Sequence, residues 1–153
     1  MILIIEGPDG SGKTTLAQQI SKQTGYPIVH RSAPKSEEEK AQMMQMYKQA
    51  IAESKNIIFD RCWYSEMVYG PVMRDASVIS SEEMYRLELD LCQVGALIIH
   101  CTGPVRTLWN RCQKRGESYI TTYEQFKDLY SRYDKIMKMP HLIPVVTYAY
   151  EGM

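Results

Sequence analysis

The chain has 153 residues, with 18 lysines and arginines balancing 18 aspartates and glutamates, 44% hydrophobic residues and 24% charged ones. This is ordinary globular composition, long enough to bury roughly 70% of the unfolded chain's surface without a disulfide or metal staple. Zero net charge argues against broad binding to a nucleic acid or another polyanion, yet leaves room for a local phosphate site.

In chain order, residues 2–5 are a short apolar run that predicts a strand. A glycine-rich loop follows, then a helical pattern over 13–23 that stops at Gly25, and a second strand candidate at 26–29. Ser36 with Glu39 forms a capping box before a helix over 37–54, and residues 57–59 are a third strand candidate. Residues 70–79 are the longest irregular stretch. Ser80 with Glu83 opens a helix ending near Gly95, 96–99 is the fourth strand, and Pro104 suits the first turn of a helix running to Arg115 with Gly116 as its stop. Thr121 with Glu124 opens a last helix that finishes before Pro140, and 143–146 is the fifth strand. The strand runs are continuous rather than alternating, as for strands covered on both faces, and helices separate them. The expected fold is therefore α/β, a five-stranded parallel sheet flanked by at least five helices, in one domain over 1–153.

Several features are bland by themselves. Cys62, Cys92, Cys101 and Cys112 form no CxxC pair and have no histidine at zinc-ligand spacing, so they read as reduced cysteines. No apolar run approaches the ~20 residues that span a bilayer, and no secretory signal pattern is present, so a cytoplasmic protein away from the membrane is expected. Met43, Met44, Met46 and Tyr47 suit a helix packing on the core, and Arg106 reads as an ordinary helix-start residue. His30, His100 and His141 share no spacing that suggests ligation or acid-base work, and His30 is at most a pocket-lining residue.

Gly7-Pro8-Asp9-Gly10-Ser11-Gly12-Lys13-Thr14 fits the pattern G-x-x-x-x-G-K-[ST] between a strand and a helix. The glycines let backbone N–H groups converge on phosphate oxygens, and the helix N-terminus adds partial positive charge. Lys13 supplies a full charge for the β- and γ-phosphates of ATP, and the Thr14 hydroxyl can coordinate Mg²⁺. No Asn-Lys-x-Asp guanine reader occurs. The third strand ends in Asp60-Arg61, a carboxylate beside an arginine, which suits Mg²⁺ and a second, phosphate- or hydroxyl-bearing substrate.

At these residues the chain resembles the thymidylate kinase-like nucleotide kinases. Glu6 through Thr15 looks like that family's loop, and the resemblance implies that Asp9 reaches a sugar 3′-hydroxyl while Thr15 belongs to the nucleotide-binding segment. Asp60-Arg61-Cys62-Trp63-Tyr64-Ser65-Glu66-Met67-Val68-Tyr69 is similar to the family's Asp-Arg-Tyr-x-x-Ser-x-x-Ala-Tyr. That match implies Asp60 near the metal, Arg61 on the acceptor phosphate and the Tyr69 ring against the sugar. The segment around Arg31 and Pro34 looks like the family's Arg-Glu-Pro strand end, with only Pro34 aligning cleanly. Cys101-Thr102-Gly103-Pro104 into the next helix resembles the passage to a mobile lid, here about 111–121, with Arg111 and Arg115 at lid-arginine positions. The chain departs from the family where Cys62 replaces a tyrosine, where Gly70 follows Tyr69, and at 43–48, which lacks the family's Phe and Asp-Arg pair. Its shortness looks more like compact virus-encoded relatives.

The expected activity is phosphoryl transfer from MgATP to a deoxynucleoside monophosphate, with a dTMP-like acceptor favoured. Lys13, Asp60, Arg61, Arg111 and Arg115 are the catalytic candidates, with Thr14 and Asp60 for the metal. Asp9, Arg31, Arg61, Trp63, Ser65, Tyr69 and Arg74 are the substrate candidates. A deoxynucleoside kinase, or a kinase of a modified nucleotide hydroxyl in DNA, is the alternative and would need Asp60 or Asp9 as proton acceptor. A regulatory ATP-dependent P-loop protein is the third reading. The expected partner is a small nucleotide, and a homodimer is compatible with the family.

Overall fold

The strand β1 (Ile2–Glu6) is buried at every residue, and alternate side chains go to opposite faces, as the pleat requires. Ile2 and Ile4 enter one apolar cluster, and Leu3 and Ile5 enter another. In this computed structural model, which describes residues 1–30, 34, 36–53, 55–116 and 120–149, β1 is the centre of a sheet ordered β2-β3-β1-β4-β5. Its other strands are β2 (Ile28–His30), β3 (Ile57–Asp60), β4 (Ala96–Thr102) and β5 (Val145–Ala149), and every pairing is parallel. The expected five-stranded parallel α/β sheet is thus present.

Helix α1 (Lys13–Thr24) packs through Ala17 against Leu3, Ile5, Ile58, Ile99 and Cys101 on one face. The opposite face carries α2 (Glu37–Ala52), α3 (Trp63–Arg74) and α4 (Ser81–Leu91). There Met43 and Tyr47 are buried, with Met44 and Met46 packed beside them, as their helical spacing suggested. Helices α5 (Val105–Arg115) and α6 (Tyr123–Lys138) close a third cluster with α3, in which Phe126, Leu129 and Tyr133 form the buried stripe of α6.

The caps explain the boundaries. Gly25 ends α1 in a left-handed conformation, Ser80 and Glu83 form the full reciprocal box, and Ser36 accepts from Glu39 N. The cap of α6 is Thr122, not Thr121: Thr122 Oγ1 accepts from Gln125 N at 3.1 Å, so the working pair is Thr122 and Gln125.

Further sequence expectations are corrected. The stretch 70–79 is helical to Arg74. Gly70 and Pro71 mask this in the sequence, but Trp63, Tyr64, Val68 and Tyr69 are buried along α3 and hold it together. The second strand starts at Ile28 because Pro27 has no N–H to give, although its carbonyl accepts from Ile58 N at 2.9 Å. The fifth strand starts at Val145, after Ile143 has turned into the core and the Pro144 carbonyl has accepted from Ile98 N. Coverage of both faces holds for the central strands only; the edge strands β2 and β5 are largely exposed.

Candidate active site

The carboxyl ends of β1, β2 and β3 place Glu6, His30 and Asp60 at one rim of the sheet. The order of strands reverses about β1 there, which is where open α/β sheets bind ligands. The loop 7–12 leaves β1 at this rim and turns into α1, so the first N–H groups of the helix face the crevice. Two glycines are sterically required. A Cβ on Gly7 would overlap the Cys101 carbonyl, and one on Gly10, whose φ is +82°, would lie 2.5 Å from the Leu108 carbonyl of α5. Arg111 clamps the same contact by donating Nη1–H to the Gly10 carbonyl at 2.8 Å.

Lys13 is buried at the start of α1, with Nζ 3.2 Å from the Pro8 carbonyl. Burial, with the Arg61 charge beside it, lowers its ammonium to about 8, while Asp9, Asp60 and Glu6 oppose the shift. A phosphate bound in the crevice would supply negative charge that raises it again. Thr14 Oγ1 donates to Asp60 Oδ2 at 3.1 Å, and His30 Nδ1 lies 3.2 Å from the same oxygen. Asp60 Oδ1, Ser11 Oγ and Arg61 Nε are buried polar atoms without a hydrogen-bond partner among the described residues. These orphans fit a Mg-nucleotide: Thr14 and Asp60 offer the hard oxygen donors Mg²⁺ takes, and Ser11, Lys13 and Arg61 offer donors for phosphate oxygens.

Asp9 forms an ion pair with Arg61, whose guanidinium also lies over the Tyr69 ring, 5.2 Å from its centroid. The Tyr69 hydroxyl lies near Asp9 without a well-formed hydrogen bond among the described residues. Burial raises its phenol well above the ordinary value, and Arg61 opposes that. Arg61 holds φ +73°, a left-handed conformation that costs a side-chain-bearing residue about 1 kcal/mol or more, and its N–H donates to the Ile5 carbonyl at 3.0 Å. The turn after β3 is therefore pinned to β1 so that Asp60 and Arg61 face the phosphate loop.

The structure brings together Asp9, Lys13, Thr14, Asp60, Arg61, Tyr69 and Arg111. Pro8 and Ser11 complete the loop, Gly12 caps α1 at φ +85°, and Thr15 lies exposed in its first turn. Other candidates lie elsewhere. Trp63 is 1% exposed, its ring edge-on to Tyr47 at 4.9 Å, because the first turn of α3 points it into the core; no face is left to stack a base. Ser65 is equally buried, and its hydroxyl is held by Glu6 and Tyr133. Arg74 is ion-paired with the buried Glu66 of its own helix. Arg115 is exposed at the end of α5, one turn beyond Arg111. Arg31, and residues 117–119 of the expected lid, lie outside the described residues.

Sequence reasoning made His30 at most a pocket-lining residue, without its contact to Asp60, and gave Glu6 no role of its own. Only the parallel register that sets His30 opposite Asp60 reveals the first, and no local spacing encodes it. Glu6 had one weak signal, a charged residue closing an otherwise apolar strand.

Fold and site together define a P-loop fold with the kinase-type arrangement of the sheet. Residues 3–60, from β1 through β3, match the family model of the ATPase family associated with various cellular activities (AAA). The SPbeta prophage-derived protein YorR of Bacillus subtilis strain 168 is 28% identical over 119 residues, 78% of this chain and 72% of its own. The crystal structure of YorR in complex with phosphorylated GDP has a TM-score of 0.78 at 24% identity, covering 99% of this chain and 85% of that one. Deoxyadenosine kinase from M. mycoides, with dCMP and a flexible dCDP bound, has a TM-score of 0.66 at 22% identity, covering 97% and 89%. These likenesses establish the P-loop kinase fold. Among the described residues, no helix is long and apolar enough to cross a membrane.

Proposed function

We propose that the protein is a deoxynucleotide kinase, transferring the γ-phosphoryl group of MgATP to a deoxynucleoside monophosphate. The observation that carries this is the convergence of the Asp60–Arg61 turn and the Asp9–Arg61–Tyr69 cluster on the phosphate loop, with Asp60 Oδ1, Arg61 Nε and Ser11 Oγ buried and unpartnered among the described residues. A protein that only held ATP would have no use for an arginine fixed beside the loop by Asp9 and the Tyr69 ring. YorR and the deoxyadenosine kinase, crystallised with nucleotides, support a nucleotide as the second substrate.

In this reading Lys13 and the loop N–H groups bind and orient the donor phosphates, and Arg61 holds the acceptor phosphate in line. The Tyr69 ring closes the sugar pocket against a 2′-hydroxyl. Thr14 and Asp60 would hold Mg²⁺, which would neutralise charge in the loose, highly charged transition state. Arg111, fixed to the Gly10 carbonyl, adds positive charge from α5.

A hydroxyl acceptor is the second reading, and the His30–Asp60 contact favours it, since a hydroxyl must lose a proton and a carboxylate beside an imidazole can take it. Measuring ATP consumption against paired deoxy- and ribonucleosides and their monophosphates, beginning with dTMP, tests both. Turnover with a deoxynucleoside monophosphate that drops at least ~100-fold in Lys13→Ala supports the kinase reading. Preference for an unphosphorylated deoxynucleoside moves the protein to the second reading. ATP binding without any acceptor-dependent turnover refutes both.

A further inference from the structure

Glu6 is the last residue of β1, it is fully buried, and it directly precedes Gly7 of the phosphate loop. Its carboxylate reaches across to the start of α3. Oε1 accepts from Cys62 N at 2.7 Å and from Ser65 N at 3.2 Å, while Oε2 accepts from Ser65 Oγ at 2.6 Å and from Tyr133 Oη at 3.4 Å. Helix α3 needs this. Its own N-cap is Cys62, whose side chain makes no capping bond, and a helix start leaves backbone N–H groups that must find acceptors.

We infer that Glu6 is a positioning residue for phosphoryl transfer, a cap supplied to α3 from β1 that holds the Asp60–Arg61 turn against the phosphate loop. The inference rests on the kinase reading above. Consecutive residues of β1 grip both ends of the same turn: the Ile5 carbonyl takes Arg61 N–H at 3.0 Å, and the Glu6 carboxylate takes Cys62 and Ser65. Arg61 sits between them at φ +73° and depends on both anchors to keep that conformation. The carboxylate that fixes the acceptor-side arginine is thus adjacent in sequence to the loop that binds the donor phosphates.

The charge state matters because all four donors face the carboxylate. Protonation turns Oε2 into a donor toward the Ser65 and Tyr133 hydroxyls and removes the negative charge that favours the α3 N-terminus. The ionisable groups around it are Lys13 from α1, Arg61 and Cys62 from the turn, Tyr69 from α3, Cys101 from β4 and Tyr133 from α6. Burial raises Glu6 to about 7, opposed by the Ser65 and Cys62 hydrogen bonds and by the Arg61 and Lys13 charges.

The test compares wild type with Glu6→Gln, which keeps shape and loses charge, and with Ser65→Ala, which removes one contact. Amide hydrogen exchange over residues 61–66, measured without substrates at pH 8, should quicken about tenfold in Glu6→Gln, the loss of roughly one net hydrogen bond. Wild-type kcat should rise between pH 6 and pH 8, while in Glu6→Gln it should be roughly tenfold lower at pH 8 and lack that rise, with the KM for ATP unchanged. Ser65→Ala should fall between the two. Wild-type exchange and an unaltered pH profile in Glu6→Gln overturn the inference, as does a lowered melting temperature with unchanged kcat. If the wild type shows no acceptor-dependent turnover, the kinase reading fails, and the exchange comparison still decides whether Glu6 caps α3.

Discussion

The contact between the phosphate loop and α5 makes Gly10→Ala an informative substitution, with Gly25→Ala as its control. Both glycines have left-handed backbones, at φ +82° and +76°, so both alanines carry the same conformational cost, about 1–2 kcal/mol. Their surroundings differ. A Cβ at Gly25 meets nothing within 4 Å, whereas one at Gly10 lies 2.5 Å from the Leu108 carbonyl and 3.3 Å from Cys112 N. Ordinary contact begins near 3.4 Å, so either the loop or the α5 backbone must move by almost an ångström. Neither is a flexible side-chain tip that could simply swing away. Overpacking of this kind adds about 1–3 kcal/mol. Gly25→Ala should therefore lose about 1 kcal/mol in urea unfolding, and Gly10→Ala about 3 kcal/mol. The same displacement carries the Gly10 carbonyl away from Arg111 and shifts the phosphate-binding N–H groups, which should lower kcat roughly 100-fold. Gly25→Ala should leave kcat alone. If the two variants unfold at the same urea concentration and Gly10→Ala keeps wild-type turnover, α5 does not clamp the loop and the account is wrong.

Arg111→Ala should lower kcat about tenfold or more, because it removes the Gly10 clamp and, in the proposed reading, a cation beside the transferring group, whereas the exposed Arg115→Ala should cost at least several-fold less; equal effects would place both residues in the same role. His141 has both ring nitrogens on acceptors, Nδ1 at 2.7 Å from Glu88 Oε2 and Nε2 at 2.7 Å from the Ile136 carbonyl, which selects the imidazolium. Burial opposes that charge, but the bonds to Glu88 and Ile136 raise the imidazole above its ordinary value, while the same pairing holds Glu88 below the usual carboxylate range against its own burial. The His141 contribution is accordingly complete below the ordinary imidazole pKa and lost as pH rises through the raised one; that of Glu88 is complete above the usual carboxylate range and lost as pH falls through the lowered one. His141→Ala should cost about 2–3 kcal/mol in urea unfolding at pH 6 and less as pH rises through the raised imidazole pKa, because the wild type then loses the charged pair while Glu88 keeps Tyr64 and Leu142 as donors; a cost that does not fall with rising pH refutes the charged pair.

What was legible in the sequence was local. The phosphate loop, the Gly25 and Gly116 stops, and the Ser36 and Ser80 caps each depend on residues within a few positions, because turn sterics and helix-end hydrogen bonds act over that range. The continuous apolar runs implied a parallel sheet for the same reason: covering both faces of a strand leaves no polar alternation. Neighbours distant in sequence were settled only by tertiary structure. Trp63 and Asp9 both lay in segments resembling a nucleotide site, yet the first turn of α3 sends Trp63 into the core while Asp9 meets Arg61. His30 stands beside Asp60 because β2 and β3 pair in one register, and a shift by a single residue would send it to the other face. Glu6 caps a helix 56 residues away through the packing of β1 beside β3. The amino-acid sequence by itself determined which segments are strands, which is the phosphate loop and which are helices apart from α3 (Trp63–Arg74), since backbone preference is short-ranged; α3, and which side chains share the crevice, were decided by burial and by the order and register of the strands, since these bring together residues with no local relation to one another.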